Sequence, residues 1–271
     1  MKSASAIAVA ALSGLALNLA FPEPDLFWVA WLAIAPLLYV LKGAGPKRGF
    51  ILGLAFGITF FGALLSWVSI VGWIAWLLLV LMEAAFFGAF GLVWGASSGG
   101  RGAVARVAIP ALLWVALEYL RSVVPVVGFT WGELAQTQHN FPFFLKTAGI
   151  GGGWLVAALL VLVNALLLEV VLAVRERSWK PCIASVALLL AVAAAPVLVH
   201  APSADGPSLR VAIVQGNVPD TEPSFEKDLL IVESHVALTK ELAGRPIDLV
   251  VWPESSVGID PFRNPDVAAS M

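Results

Sequence analysis

The chain has 271 residues, of which 60% are hydrophobic and only 13% are charged. This composition excludes an ordinary water-soluble protein, because soluble domains carry about a quarter charged residues. The net charge of -2 gives no reason to expect nucleic acid as a partner. Cys182 is the single cysteine, which excludes an internal disulfide bond and a cysteine-cluster metal site. We expect neither a metal nor a cofactor.

Composition changes sharply along the chain. Residues 1–200 carry 11 Lys+Arg and 7 Asp+Glu, whereas residues 201–271 carry 5 and 11. Residues 201–208 are rich in Pro, Gly and Ser, which predicts a short linker. We therefore expect a transmembrane helical domain at 1–200, a linker at 201–208 and a water-compatible domain at 209–271.

The first region contains seven apolar segments that meet or approach the length of a membrane span, about 20 residues. They are 4–20, 26–41, 50–70, 73–96, 103–123, 150–174 and 181–199. The first segment has an alternative interpretation as a signal peptide, since Lys2 precedes its apolar core. The pattern predicts a polytopic α-helical membrane bundle of about seven spans.

Basic residues predict the orientation of this bundle. Nine of them fall on one side of the predicted spans: Lys2, Lys42, Lys47, Arg48, Arg101, Arg106, Arg175, Arg177 and Lys180. The opposite loops hold only Arg121 and Lys146. Because cytoplasmic loops carry an excess of Lys and Arg, we expect a cytoplasmic N-terminus and an extracytoplasmic C-terminal region.

Charged residues inside the predicted spans need partners. Glu83 lies in mid-span, where an ionised carboxylate is costly unless it faces the protein interior. Two interpretations are open: a hydrogen bond between helices, or a functional role. Glu118 and Arg121 are three residues apart on one helix face and are expected to pair, with a substrate contact as the alternative. Glu169, near the inner end of its span, is expected to extend to the interface.

Small residues recur on two neighbouring spans. Gly53, Gly57 and Gly62 lie on one, and Gly88, Gly91 and Gly95 lie on the next. Glycines at this spacing let helix backbones approach closely, so the pattern predicts a tight contact between helices.

The loop at 124–149 mixes glycine, aromatic and polar residues, including Phe129, Trp131 and Glu133. Aromatic residues at this height usually anchor a protein at the membrane interface. The alternative is a lipid-facing wall beside an active site. His139 has no partner at metal-ligand spacing, so a metal role is not expected.

The C-terminal region predicts an α/β arrangement. Apolar runs at 209–215 and 247–252 have strand character, and residues 225–243 between them have a helical stripe. Strand, helix and strand predict a parallel pair buried on both faces, with chemistry at the carboxyl ends of the strands. Glu254 falls at such an end, where a partly buried glutamate suits a general base. The alternative is a loop carboxylate that caps a turn.

Two motifs in this region resemble the start of a nitrilase-like (carbon–nitrogen hydrolase) domain, namely 211–219, VAIVQGNVP, and 251–255, VWPES. The Gln-Gly-Asn sequence at 215–217, preceded by membrane spans, is similar to the apolipoprotein N-acyltransferase family. Segments 117–121, 128–131, 149–155 and 164–166 also resemble that family. The resemblance covers essentially the whole chain.

The resemblance implies an acyltransferase at the outer face of the bacterial cytoplasmic membrane. A cysteine would take a fatty acyl chain from a phospholipid as a thioester and pass it to the α-amino group of a diacylglyceryl-modified apolipoprotein. Glu254 matches the family's general base, and the partner Lys and Cys are expected beyond residue 271. We therefore expect a C-terminally truncated and inactive chain. Phe129, Trp131, Glu133 and Phe225 are candidate lipid or substrate contacts.

Two other functions are compatible with the residues. One is a membrane-tethered amidase of the nitrilase type that acts on a small extracytoplasmic amide. The other is a non-enzymatic, transporter-like membrane protein, although no internal repeat of the kind common in transporters is evident.

Overall fold

The computed structural model describes residues 3–97, 102–124, 128–200, 206–217 and 225–270. The chain forms two compact units, Met1–Ala201 and Pro202–Met271. Residues 201–205 of the predicted linker lie outside the described residues, as do 125–127 of the aromatic loop.

The first unit is built mainly from helices. The α-helices are α1 (Ser3–Asn18), α2 (Ala35–Leu41), α3 (Pro46–Leu64), α4 (Trp73–Ser97), α5 (Ala103–Val123), α6 (Pro142–Leu145), α7 (Ala148–Arg175) and α8 (Trp179–Ala194). Short 3-10 segments lie at Phe27–Trp31, Ser66–Ile70, Leu134–Gln138 and Ala195–Leu198. Helix α3 packs against α1 and α4, and α7 packs against α5 and α8.

Five helices of the described chain are long and apolar enough to cross a membrane: α3, α4, α5, α7, and α8 with its extension to Leu198. The first unit is therefore a helical membrane bundle. The first two predicted segments contain shorter apolar helices, at Ser3–Asn18 and Phe27–Leu41. Length alone does not confirm seven spans, because the second segment is divided between a 3-10 turn and a seven-residue helix.

Helices α3 and α4 touch through glycine, as the sequence predicts. A Cβ added to Gly53 would overlap the carbonyl oxygen of Phe87, and one added to Gly91 would overlap that of Gly49. Gly62, on the same helix as Gly53, has only the ring of Trp76 nearby, at 3.9 Å. Gly62 is therefore not part of the contact, which depends on the other glycines.

Gly53→Ala is expected to lower the free energy of unfolding by about 1–3 kcal/mol, because the new methyl group must push two helix backbones apart. Gly62→Ala is the matched control, since the space at that position is open. The control should be neutral or stabilising by up to about 1 kcal/mol through helix propensity. Denaturation in detergent, followed by tryptophan fluorescence, measures both. Equal losses in the two variants would contradict the packing role of Gly53.

Asn164 of α7 fixes the start of α2. Its fully buried side chain accepts hydrogen bonds from the N–H groups of Ile34 and Ala35, each at 2.9 Å. It also donates to the carbonyl oxygens of Ala30 and Leu160, each at 2.9 Å. One side chain therefore supplies polar partners to an irregular turn in the bundle interior, where water does not replace them.

The second unit contains β1 (Val211–Ile213), α9 (Phe225–Lys240), β2 (Leu249–Val251) and α10 (Pro265–Ser270). The strands pair in parallel with Val211 opposite Leu249, which confirms the predicted strand–helix–strand arrangement. The expected burial of the strands on both faces is wrong, because all three residues of β2 are exposed. A small core of Val232, Val236, Ile259 and Val267 packs α9 against the end of the chain.

Candidate functional site

Arg121 is the centre of a polar cluster in the membrane bundle. Its guanidinium is almost fully buried and lies 2.9 Å from a carboxylate oxygen of Glu83 on α4. The same nitrogen donates to the carbonyl oxygens of Phe129 at 3.0 Å and Trp131 at 2.8 Å. The ring of Phe61 faces the guanidinium at 5.2 Å. Arg121 thus joins the end of α5 to α4 and to the aromatic loop.

The expected ion pair between Glu118 and Arg121 is wrong. Glu118 is buried, but its carboxylate accepts from the indole N–H of Trp114 at 3.0 Å and the backbone N–H of Leu134 at 2.8 Å. Arg121 instead reaches across to Glu83, which α4 places opposite it. Of the two interpretations of Glu83, the structure shows the helix–helix contact.

The expected extension of Glu169 to the interface is also wrong. Its side chain is 4% exposed and forms two hydrogen bonds with Arg106 of α5, at 2.7 and 2.6 Å. Packing of α5 against α7 brings the two residues together. A partly buried bidentate pair replaces the contact with the interface.

The loop after α5 presents an aromatic surface. Trp131 is 52% exposed and packs against Trp67 at 5.4 Å between ring centroids. Phe129 is half-buried. The backbone of the loop is held by Arg121 and by the side chain of Gln136, which accepts from the N–H of Gly132 at 3.1 Å. The two aromatic side chains therefore stand on a fixed backbone.

Glu133, the polar candidate in this loop, is half-buried, and burial raises the pKa of its carboxyl above the ordinary value of 4.5, with Arg121 opposing the shift. A raised folded-state pKa means that ionisation disfavours the folded state, so stability falls as the pH rises above the ordinary value. Glu133→Gln is therefore expected to be more stable than the parent chain at pH 7 and equal to it near pH 4. Unfolding measured across this range tests the difference, and a variant less stable at pH 7 would contradict it.

Glu254 lies in the second unit, directly after β2. It lines a cavity of about 170 Å³ together with Gln215 and Asn217 from the end of β1, and with His235 from α9. The segments that follow the two parallel strands therefore line the same cavity. The Glu254 side chain is exposed, so the expected partial burial is wrong for the residues described.

His235 supports the backbone of this site and was not among the candidate residues predicted from the sequence. It is 1% exposed, and its Nε2 accepts from the backbone N–H of Gly216 at 3.1 Å. Its Nδ1 lies 2.7 Å from the carbonyl oxygen of Ile231, which requires the proton on Nδ1. The sequence signal is a histidine between Val232 and Val236 on the apolar stripe of α9, where a polar side chain needs a specific partner.

Three other side chains of catalytic type, one thiol and two amines, do not line this cavity. Cys182 lies in the first turn of α8, in the other unit, and Lys227 and Lys240 lie on α9 outside the cavity lining. Phe225 begins α9, but its side chain is outside the described set. Within the described ranges, no three His, Cys, Asp or Glu side chains converge as a metal site requires.

Comparison with known proteins gives the family context. Residues 13–166 match the apolipoprotein N-acyltransferase N-terminal domain. A protein of Geobacter metallireducens is 31% identical over 92% of this chain and 50% of its own length. A protein of Mycolicibacterium smegmatis is 34% identical over 95% of this chain and 47% of its own length. A protein of Gloeobacter violaceus is 29% identical over 94% of this chain and 51% of its own length.

All three relatives carry the name apolipoprotein N-acyltransferase. The chain spans about half the length of these curated relatives. The matched domain covers most of the membrane bundle, including Arg121, Glu83 and Asn164, and ends before the strand that leads to Glu254. The comparisons give no support to the amidase or transporter alternatives.

Proposed function

The chain belongs to the apolipoprotein N-acyltransferase family, and from this premise we propose that it serves in the transfer of a fatty acyl chain from a phospholipid to the N-terminus of an apolipoprotein. The observation that carries the proposal is the family match over residues 13–166, joined to a parallel β–α–β unit with Glu254 at its carboxyl end. The acyl acceptor is the α-amino group of a diacylglyceryl-modified N-terminal cysteine.

The proposed chemistry has two acyl transfers. A cysteine thiolate attacks the ester carbonyl of the phospholipid, the thioester forms, and a lysophospholipid alcohol leaves with a proton. The amine of the apolipoprotein then attacks the thioester, the amide forms, and the thiolate leaves. Each step needs a base for the attacking group and a cation for the oxyanion, because both intermediates are tetrahedral.

Glu254 is the proposed base for the thiol and then for the amine. Its position after β2 places a carboxylate at the cavity shared by the two strand ends. His235 contributes by holding the backbone of Gly216, since the hydrogen bond to its Nε2 fixes the turn after β1. The lysine and the cysteine are supplied, in the family, by later strands of the nitrilase-like domain.

The membrane bundle is proposed to bring lipid substrates to this domain. Trp131, which is exposed, and Phe129, which is half-buried, give the loop an aromatic surface on a backbone fixed by Arg121. Such a surface suits acyl chains, because it offers apolar contact area at a small entropic cost. Glu133 is a candidate contact for the polar part of a substrate.

We place the bundle in the bacterial cytoplasmic membrane with its N-terminus inside and seven crossings, in which the two short apolar helices accompany the five long ones. The distribution of basic residues supports this orientation. Cysteines introduced at the exposed positions Lys47 and Asn140, in a Cys182→Ser background, distinguish the two sides. A membrane-impermeant maleimide applied to intact spheroplasts should label residue 140 and leave residue 47 unlabelled. The reverse result would overturn the orientation.

A chimera tests the catalytic proposal. Residues 1–271 joined to the remaining half of the Geobacter metallireducens relative should transfer labelled acyl chains from phospholipid to a diacylglyceryl peptide. Glu254→Gln in the chimera is expected to reduce the rate at least about 100-fold, because the step loses its general base. Glu241→Gln, an exposed glutamate of the same unit, is the control and should retain the parental rate. An active chimera with an unaffected Glu254→Gln variant would refute the role of Glu254.

A further inference from the structure

Another cavity, separate from the one beside Glu254, lies in the membrane bundle. It is at the end of the bundle where most of the basic residues are found. It has a volume of about 350 Å³ and lies beside the turn between α2 and α3. Its lining combines the side chains of Tyr39, Lys42 and Arg48 with the apolar side chains of Val40 and Leu172. Two cationic groups therefore face one pocket whose lining includes no carboxylate.

The nearest acidic residues on α7 do not cancel this charge. Glu169, almost one turn before Leu172, is neutralised by Arg106 at 2.6 Å. Glu176, the C-cap residue of α7, also interacts electrostatically with Arg106 and is not part of the pocket lining. The first turn of α3 adds to the positive potential, because a helix N-terminus carries a partial positive charge.

The height of the pocket is set by the helices that form it. Helix α3 has 19 residues, about the length needed to cross the hydrocarbon, so its first turn lies where hydrocarbon meets water. Arg48 is in that first turn, and Lys42 ends α2 just before it. Cations near this boundary are at the height of lipid phosphates, and the largely buried Val40 and Leu172 give the same pocket an apolar part.

We propose that this pocket binds the headgroup of an anionic phospholipid, with Lys42 and Arg48 on the phosphate and Val40 and Leu172 against the lipid stem. An arginine carries five N–H donors, so the guanidinium can bind a phosphate and keep its contacts within the protein. The site is separate from the acyl-transfer residues and does not depend on the proposed function. With the orientation proposed above, the lipid belongs to the cytoplasmic leaflet.

Native mass spectrometry of the whole chain tests this site. The detergent-solubilised protein is offered equal amounts of phosphatidylglycerol and phosphatidylcholine, and the ratio of retained lipids is measured. The parent chain should retain one phosphatidylglycerol in preference. Lys42→Gln and Arg48→Gln should each lower the ratio about fivefold, because each removes one cation from the anionic headgroup.

Two variants and one competitor make the result decisive. Arg48→Lys keeps the charge and should preserve the preference. Lys47→Gln removes a neighbouring exposed cation that does not line the pocket and should change the ratio less than twofold. If Lys47→Gln lowers the lipid ratio as much as Arg48→Gln does, the preference reflects diffuse surface charge and the site is refuted. If excess inorganic phosphate displaces the lipid completely, the pocket binds a free anion and the lipid proposal is overturned.

Discussion

Arg121→Met is expected to lower the free energy of unfolding of the bundle by about 3–5 kcal/mol, because it leaves the buried carboxylate of Glu83 without its counter-ion. The same substitution removes the donors that hold the carbonyl oxygens of Phe129 and Trp131. Denaturation in detergent, with tryptophan fluorescence as the signal, gives the stability. Arg175→Met, an exposed arginine in the last turn of α7, is the control and should change it by less than about 1 kcal/mol.

A double variant separates the two effects of Arg121. Glu83→Gln combined with Arg121→Met removes both charges, so the double variant should be more stable than Arg121→Met alone. It should remain less stable than the parent chain, because the loop carbonyls still lack their donor. A double variant less stable than Arg121→Met would show that the buried charge of Glu83 is not the source of the loss.

Asn164→Leu is expected to lower the free energy of unfolding by about 3–5 kcal/mol. Leucine preserves the side-chain volume but leaves the N–H of Ile34 and the carbonyl of Ala30 without this partner. The loss should appear in the same denaturation experiment. Thr130→Val, a near-isosteric change at an exposed polar residue of the loop, is the control and should change stability by about 0.5 kcal/mol or less. Comparable losses in both variants would contradict a special role for Asn164.

The long spans could be predicted from the sequence because a membrane helix needs only length and apolar composition. α4 and α5 lie at the predicted positions almost to the residue. The first two segments were less predictable, since a 3-10 turn at Phe27–Trp31 interrupts the second of them. Asn164, more than 100 positions later, forms hydrogen bonds with Ala30, Ile34 and Ala35, and no local pattern reveals that contact.

Partners of buried charges could not be predicted from spacing along one helix. Glu118 and Arg121 share a face, yet the structure pairs Arg121 with Glu83, 38 positions earlier. The choice depends on how α4 packs against α5, which is a property of the whole bundle. In the second unit the position of Glu254 was predictable, because a parallel pair fixes which strand ends meet. Its exposure was not, since burial depends on the neighbours of a strand and not on its own sequence.

The position of Arg121 has a consequence for the two elements that it joins. One guanidinium nitrogen contacts the carboxylate of Glu83 and the carbonyl oxygens of Phe129 and Trp131. Groups that share one partner do not contribute to stability independently, so substitutions that disturb the loop backbone and substitutions at Glu83 are expected to be non-additive. The irregular loop and the interior of α4 therefore form one energetic unit, although 46 positions or more separate Glu83 from the loop carbonyls in the sequence.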